Sequence, residues 1–295
     1  MPASIDLVFT KAPSFVATIL SALRGIHFTF DPSRPSPVIT AKRNGIGPDA
    51  ARLADFARIC GITTGESLPL VYPLTLIYPL VQRILAHKEA PMSLLKTLNT
   101  RMQIIQRRPI GLHETVDVCC ELAAHRLVEK GLEVDIACAL RIAGATIWES
   151  TITFYYQGKF GAPDQSFLPP VLDAIPDAPE VARWFLQEGV GIAFARLSGD
   201  GNPIHFWKFY AKLLGFSRDF AQPLLVLSET LSRLEKKHPS DRYRLDIVFK
   251  GPVYYGSDVI LKSTQNGQSE RFDIYSEGNP RPCICGNLNF GQHIS

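Results

Sequence analysis

The feature that most constrains this chain is an echo within it. Phe56-Ala57-Arg58-Ile59-Cys60-Gly61 matches Phe194-Ala195-Arg196-Leu197-Ser198-Gly199 at most positions or in kind. Each copy is followed by a helical pattern and then by strand-like alternation. Ile104-Ile105-Gln106-Arg107-Arg108-Pro109 sits in the first half where Ile247-Val248-Phe249-Lys250-Gly251-Pro252 sits in the second. A tandem duplication accounts for both echoes. The chain must then hold two similar units, and its 295 residues accommodate two of ordinary size.

A break in regular patterning separates the halves. Gly158, Gly161, Pro163, Pro169, Pro170, Pro176 and Pro179 interrupt any period. We therefore expect an N-terminal domain over 1–157, a linker over 158–188 and a C-terminal domain over 189–295.

In the first half, residues 1–45 read as a lead-in with a short apolar helix over 14–23, a turn-rich stretch over 31–37 and a strand over 38–41. Leu53, Phe56, Ala57 and Cys60 recur at helical spacing over 49–60, with Gly61 where a helix would stop. Residues 68–87 read as a buried helix from Leu80 onward, and prolines 73 and 79 predict an irregular start or a kink. Strands follow at 100–107, 114–127, 133–142 and 147–156, the last two joined across Ala143-Gly144. The second half predicts a strand or turn entry at 192–197, a helix over 203–214 stopped by Gly215, and a helix over 222–236. Strands follow at 243–249, 258–264, 270–276 and 282–290, with Asn266-Gly267 as a hairpin turn. The class is α+β, each half a long helix followed by an antiparallel sheet.

Composition excludes several functions. Hydrophobic residues at 46% and charged residues at 20% describe a globular chain, and a net charge of +3 is too small to argue for nucleic acid. The six cysteines are scattered in apolar runs, which suits reduced thiols in the cytoplasm. Cys283-Ile284-Cys285 lacks partner ligands, so no metal is expected. The greasiest run, 68–81, is shorter than a membrane span and holds three prolines, and no targeting segment is evident. We expect a cytoplasmic protein without membrane insertion.

Chemistry concentrates at Ser198-Gly199-Asp200-Gly201-Asn202-Pro203-Ile204-His205. Asn202 before Pro203 is a helix start: a capping amide, then proline at the first helical position. His205 then falls in the first turn, near the positive helix end, a placement that favours a neutral, proton-accepting imidazole. Asp200 precedes the helix and can orient His205 or polarise a shared water. The same residues also make a well-capped turn, so residue types alone leave both readings open. In the first copy Ile62-Thr63-Thr64 takes the place of the polar set.

Residues 196–205, followed by Ala211 and Gly215-Phe216, resemble the signature of the MaoC-like R-specific enoyl-CoA hydratases and dehydratases. The resemblance implies a tandem double-hotdog fold, in which the first copy shapes the acyl pocket and the second carries catalysis. It also implies hydration of trans-2-enoyl thioesters to R-3-hydroxyacyl thioesters, and the reverse dehydration, in fatty acid metabolism. Asp200 and His205 would hold the water and Asn202 the turn. Gly201, Gln222, Pro223 and Leu224 would meet the substrate, an acyl-CoA or acyl-carrier-protein thioester. No cofactor is implied, and a monomer (already a pseudo-dimer) and a homodimer both fit.

One departure stands out. The family has His-Gly at the start of the hotdog helix, after Ile-Ala; here the segment reads Phe220-Ala221-Gln222-Pro223-Leu224. In one register Pro223 replaces the glycine and removes an N–H from the oxyanion site. A one-residue shift puts Gln222 there and keeps it, and the Gln222 side-chain amide is another substitute. The departure favours a rival reading, an acyl-thioester-binding protein with weak or no catalysis. A hotdog thioesterase is a third reading, less suited to a motif that positions water at a carbon–carbon double bond. Arg101, Arg107, Arg108 and His113 are candidates for coenzyme A phosphates or plain surface.

Overall fold

The computed structural model describes residues 4–23, 30–31, 37–47, 49–165, 171–235 and 238–291. Most of the turn-rich stretch 31–37, Pro169 and Pro170 of the linker, Lys236 and residues 292–295 lie outside them.

The first half runs β1 (Ser4–Val8), α1 (Phe15–Leu23), β2 (Val38–Ile46), α2 (Ala50–Cys60), α3 (Leu74–Leu85), β3 (Thr97–Gln106), β4 (Val116–Val128), β5 (Gly131–Ile142) and β6 (Ala145–Gln157). The second runs β7 (Glu180–Phe185), α4 (Gly191–Ser198), α5 (Lys208–Leu213), α6 (Pro223–Leu234), β8 (Tyr243–Phe249), β9 (Asp258–Asn266), β10 (Ser269–Ser276) and β11 (Ile284–Phe290). The strands form one sheet in the order β1-β2-β4-β5-β6-β3-β8-β11-β10-β9-β7. Read outward from the centre, the halves repeat each other: β3, β6, β5, β4, β2 on one side and β8, β11, β10, β9, β7 on the other.

The seam is β3 against β8, antiparallel from Arg101↔Val248 to Gln106↔Tyr243. These strands carry the second echo. Gln103 Nε2 donates to Asp246 Oδ1 across the seam at 2.7 Å. The first echo marks two helix ends, those of α2 and α4. Gly61 (φ 60°) and Gly199 (φ 78°) both cap in the left-handed conformation, each returning its N–H to a carbonyl of the last turn, Ala57 or Ala195. Phe56 and Phe194 meet between the two helices at 6.2 Å.

Local chemistry accounts for the elements. Asp49 caps α2 by accepting from the Arg52 N–H at 3.1 Å. Ala143 (φ 49°) and Gly144 (φ 82°) supply the two positive dihedrals that a two-residue hairpin needs between β5 and β6. The helices α3 and α6 hold the core. Leu74, Ile77, Leu80 and Ile84 of α3, and Leu224, Leu227 and Leu231 of α6, are buried in one cluster with the inward residues of the sheet. Each such side chain contributes about 1.5–3 kcal/mol by burial. Leu227→Ala would leave a cavity costing about 2–5 kcal/mol. Trp148 of β6 is wholly buried and donates its indole N–H to the Leu70 carbonyl at 2.9 Å, which fixes the entry to α3.

By strand alternation Arg101 points to the opposite face from Met102 and Ile104. There Arg101 and Arg126 share Glu133, and Arg126 also grips Asp135 at 2.6 Å. Arg107 pairs with Glu149 and Arg108 with Glu114 at 2.8 Å. The candidate phosphate-binding arginines are therefore engaged in ion pairs with carboxylates of the chain itself.

Three local expectations are corrected. Residues 192–197 are not a strand entry but the body of α4; an apolar run that short does not distinguish the two periods. The helix expected over 203–214 is split into a single 3-10 turn, Pro203–His205, and α5, because Phe206 (φ −151°) and Trp207 leave helical geometry. The helix dipole thus cannot be what sets the imidazole of His205. Finally, Glu180–Phe185, within the stretch read as linker, is the edge strand β7, paired with β9. Among the described residues no helix is long and apolar enough to cross a membrane.

Candidate active site

The site begins where α4 ends. Gly199 turns the chain in a conformation that side chains resist, and a Cβ there would stand 2.6 Å from Pro79 Cγ. The turn therefore lies directly on α3 of the other half, at the proline inside that helix. Asp200, Asn202 and His205 follow, all three buried.

Each side chain is held. Asp200 Oδ1 accepts from Gln82 Nε2 of α3 at 2.9 Å and from the Asn202 N–H at 3.3 Å. Gln82 is bidentate: its Oε1 accepts the Gly201 N–H at 3.2 Å. Asn202 Oδ1 accepts the Ile204 N–H at 3.2 Å, the expected cap, and its Nδ2 reaches the Thr97 carbonyl at 3.4 Å. Both ends of Asn202 are thus committed to holding the turn. His205 Nδ1 lies 3.0 Å from the Phe220 carbonyl. A carbonyl only accepts, so in the neutral ring Nδ1 carries the proton and Nε2 the lone pair. Phe220 also packs edge-on against the imidazole at 5.1 Å. Nε2 faces Asp200 Oδ2 at 3.6 Å, too long for a direct hydrogen bond.

Asp200, Asn202 and His205 line a cavity of about 270 Å³ between the two halves. The first half contributes Tyr78, Gln82, Leu94, Leu98, Asn99 and Phe154, and the second Ile204, Phe220, Pro223, Val226 and Ile284. The walls are mostly apolar, and Gln82, Asp200, Asn202 and His205 form one contiguous polar group in them, the usual character of a site for a small organic ligand. Burial, with Asp200 nearby, pushes the Tyr78 phenol far above its ordinary value and keeps it protonated. Among the described residues no cluster of His, Cys, Asp and Glu is arranged to hold a metal ion.

The helix start departs from the resemblance. Pro223 is the first residue of α6 and Gln222 its N-cap. Pro223 lines the cavity; Gly201, Gln222 and Leu224 do not. Gln222 is wholly buried behind the wall, its Nε2 on the Gly191 carbonyl and its Oε1 accepting from the Tyr255 hydroxyl, both at 2.9 Å. Its side chain is not free to replace a missing donor. Gln82, Tyr78 and Asn99 carry no local signal in the sequence. The tie from Gln82 to Asp200 spans 118 positions.

The fold is that of the double-hotdog proteins, and the chain is similar to MaoC-like dehydratases. The chain is 28% identical over 220 residues, 74% of its length, to 3-hydroxyacyl-thioester dehydratase X of Mycobacterium tuberculosis, and covers 77% of that protein. The crystal structure of HtdX of Mycobacterium tuberculosis superposes with a TM-score of 0.73 at 23% identity, over 84% of this chain and 98% of that one. A MaoC-like dehydratase from Phytophthora capsici superposes with a TM-score of 0.70 at 16% identity, over 88% of this chain and 96% of that one. No family model matches the sequence.

Proposed function

We propose that this protein is an acyl-thioester hydro-lyase, adding water reversibly to trans-2-enoyl thioesters to give R-3-hydroxyacyl thioesters. The observation that carries this reading is the pair Asp200 Oδ2 and His205 Nε2. They are two buried acceptors 3.6 Å apart on the wall of a mostly apolar cavity. That geometry suits one water molecule donating to both.

His205 Nε2 takes a proton from this water as its oxygen bonds to C3 of the enoyl group. The double-bond electrons move toward the thioester carbonyl, and C2 then takes the proton back from His205. Asp200 accepts the second hydrogen of the water and steadies the transient imidazolium. Asn202 and Gln82 keep both acceptors in place. Dehydration runs the same steps backward. The named activity of the Mycobacterium tuberculosis relative, a 3-hydroxyacyl-thioester dehydratase, supports this reaction class. The mechanism calls on no cofactor, and the thioester is one of coenzyme A or of an acyl carrier protein. We place the protein in the cytoplasm, in keeping with its six free cysteines.

The test is loss of conjugated-enoyl absorbance with short and long trans-2-enoyl-CoAs. Turnover by the wild type and its loss in His205→Ala support the enzyme. Saturable acyl-CoA binding with no turnover at any chain length would leave the acyl-thioester-binding protein, the reading that Pro223 at the helix start favours.

A further inference from the structure

Adding water across an enoyl thioester builds negative charge on the carbonyl oxygen, and a buried site needs a hydrogen-bond donor there. The start of α6 does not provide one. Pro223, on the cavity wall, has no N–H. Ala221, also on the wall, gives its N–H to the Val253 carbonyl at 2.9 Å. The Gln222 N–H is turned to the Tyr255 phenol oxygen, and Leu224 does not reach the wall.

The donors near Asp200 are mostly spent. Gln82 holds Asp200, Asn202 holds Thr97, and Nδ1–H of His205 holds Phe220. Tyr78 differs. Its hydroxyl accepts from Asn99 Nδ2 at 2.9 Å, and both residues line the cavity. Among the described residues no acceptor takes the Tyr78 hydroxyl proton. A buried O–H without an acceptor is costly unless something else supplies one. Asn99 fixes the oxygen by donating to it, so the proton is directed elsewhere. Tyr78 also precedes Pro79, the residue on which Gly199 rests, so the hydroxyl belongs to the same packed unit as Asp200.

We propose that Tyr78 is a catalytic residue: its hydroxyl donates the hydrogen bond to the thioester carbonyl oxygen that the start of α6 cannot supply. This rests on the hydro-lyase reading above. The first half then supplies the carbonyl donor and the second half the water-handling pair. No proton is transferred by Tyr78; it only stabilises charge that forms and decays.

Tyr78→Phe removes the donor and little else. It should lower kcat about 10²–10³-fold, with a smaller change in KM and an unchanged pH profile. Pro223→Gly restores an amide at the helix start, and in the Tyr78→Phe background it should recover at least about tenfold of that loss. A second readout needs no turnover. The absorbance of bound cinnamoyl-CoA should shift to the red with wild type and with His205→Ala, and not with Tyr78→Phe. Turnover of Tyr78→Phe close to that of wild type would overturn the proposal. So would a loss that Pro223→Gly does not recover, or a red shift that survives in Tyr78→Phe. A wild type that turns over no enoyl thioester would sink the hydro-lyase reading instead. The carbonyl contact would then stand if Tyr78→Phe abolished the red shift, and would fall with that reading if wild type showed none.

Discussion

The two halves contain the same helix-ending turn, and only the second leads into the wall of the cavity between them. After α2 the chain passes Gly61 into Ile62, Thr63 and Thr64, and the glycine and both threonines are exposed. After α4 it passes Gly199 into Asp200, Gly201 and Asn202, and these are buried. The backbone device is shared, down to the left-handed glycine. What differs is the surroundings: nothing stands within 4 Å of a Cβ built on Gly61, whereas one on Gly199 runs into Pro79 of α3. The second turn is enclosed by the first half, and it alone carries an acid, an amide and an imidazole. The contrast teaches that one backbone turn is a surface bend or part of a cavity wall according to whether the other half packs against it.

The largest effect should come from exchanging residues at matched turns. Asp200→Asn keeps the shape and removes the anionic acceptor, and should lower kcat for enoyl-CoA hydration about 10³-fold. Thr63→Ala, in the exposed turn, should leave the rate unchanged; a comparable loss there would break the comparison. Next is the glycine itself. Gly61→Ala meets only the left-handed strain, about 1–2 kcal/mol. Gly199→Ala adds the clash with Pro79 and should cost about 2–4 kcal/mol, read from urea midpoints. Equal costs would mean that the contact with α3 yields freely.

Gln82→Leu tests the crossing between halves. It frees Asp200 Oδ1 and the Gly201 amide while preserving volume, and should lower kcat about 10–100-fold with the fold intact by circular dichroism. Gln82→Glu should not rescue it, since a carboxylate facing Asp200 repels it. The smallest effect separates the two long helices. α3 carries the neutral Gln82, while α6 carries Glu229, whose carboxyl burial pushes up to about 7 despite a hydrogen bond from the Trp184 indole. Its folded value exceeds the ordinary 4.5, so the folded state binds the proton more tightly. Stability is then highest below the unfolded value and falls as pH rises toward 7. Glu229→Gln should flatten this slope in urea titrations run at several pH values. Glu235, also pushed up by burial to about 7, keeps part of it. A slope identical to wild type would show that Glu229 is not desolvated.

Much of the fold was legible because it rests on local rules. Alternation placed the long strands, Asp49 and Gly61 bounded α2, and Ala143-Gly144 turned one hairpin; the turn expected at Asn266-Gly267 falls one residue on, at Gly267 and Gln268, with Asn266 paired to Ser269. Elements were misread where the local signal is short or split: eight residues of α4, and a proline-started turn that Phe206 ends after one round. The motif at Asp200 to His205 was visible because its residues are adjacent. Gln82 and Tyr78 were not, because in sequence they are polar interruptions of an apolar helix. Their partners, Asp200 and Asn99, are found only through the fold. The sequence also left open which atoms of the 220–224 segment face the cavity; the buried bonds of Gln222 answer that.

The seam between β3 and β8 has a consequence apart from catalysis. Two separate hotdog units would present four unpaired sheet edges. Joined, the described strands leave two, β1 and β7. An unpaired edge is a template for adding foreign strands, and so a route to aggregation. The remaining ones are short, five residues in β1 and six in β7, and β7 carries Glu180 and Arg183 along its length. Fusion has thus turned the strands most exposed to mispairing into the best protected ones in the molecule.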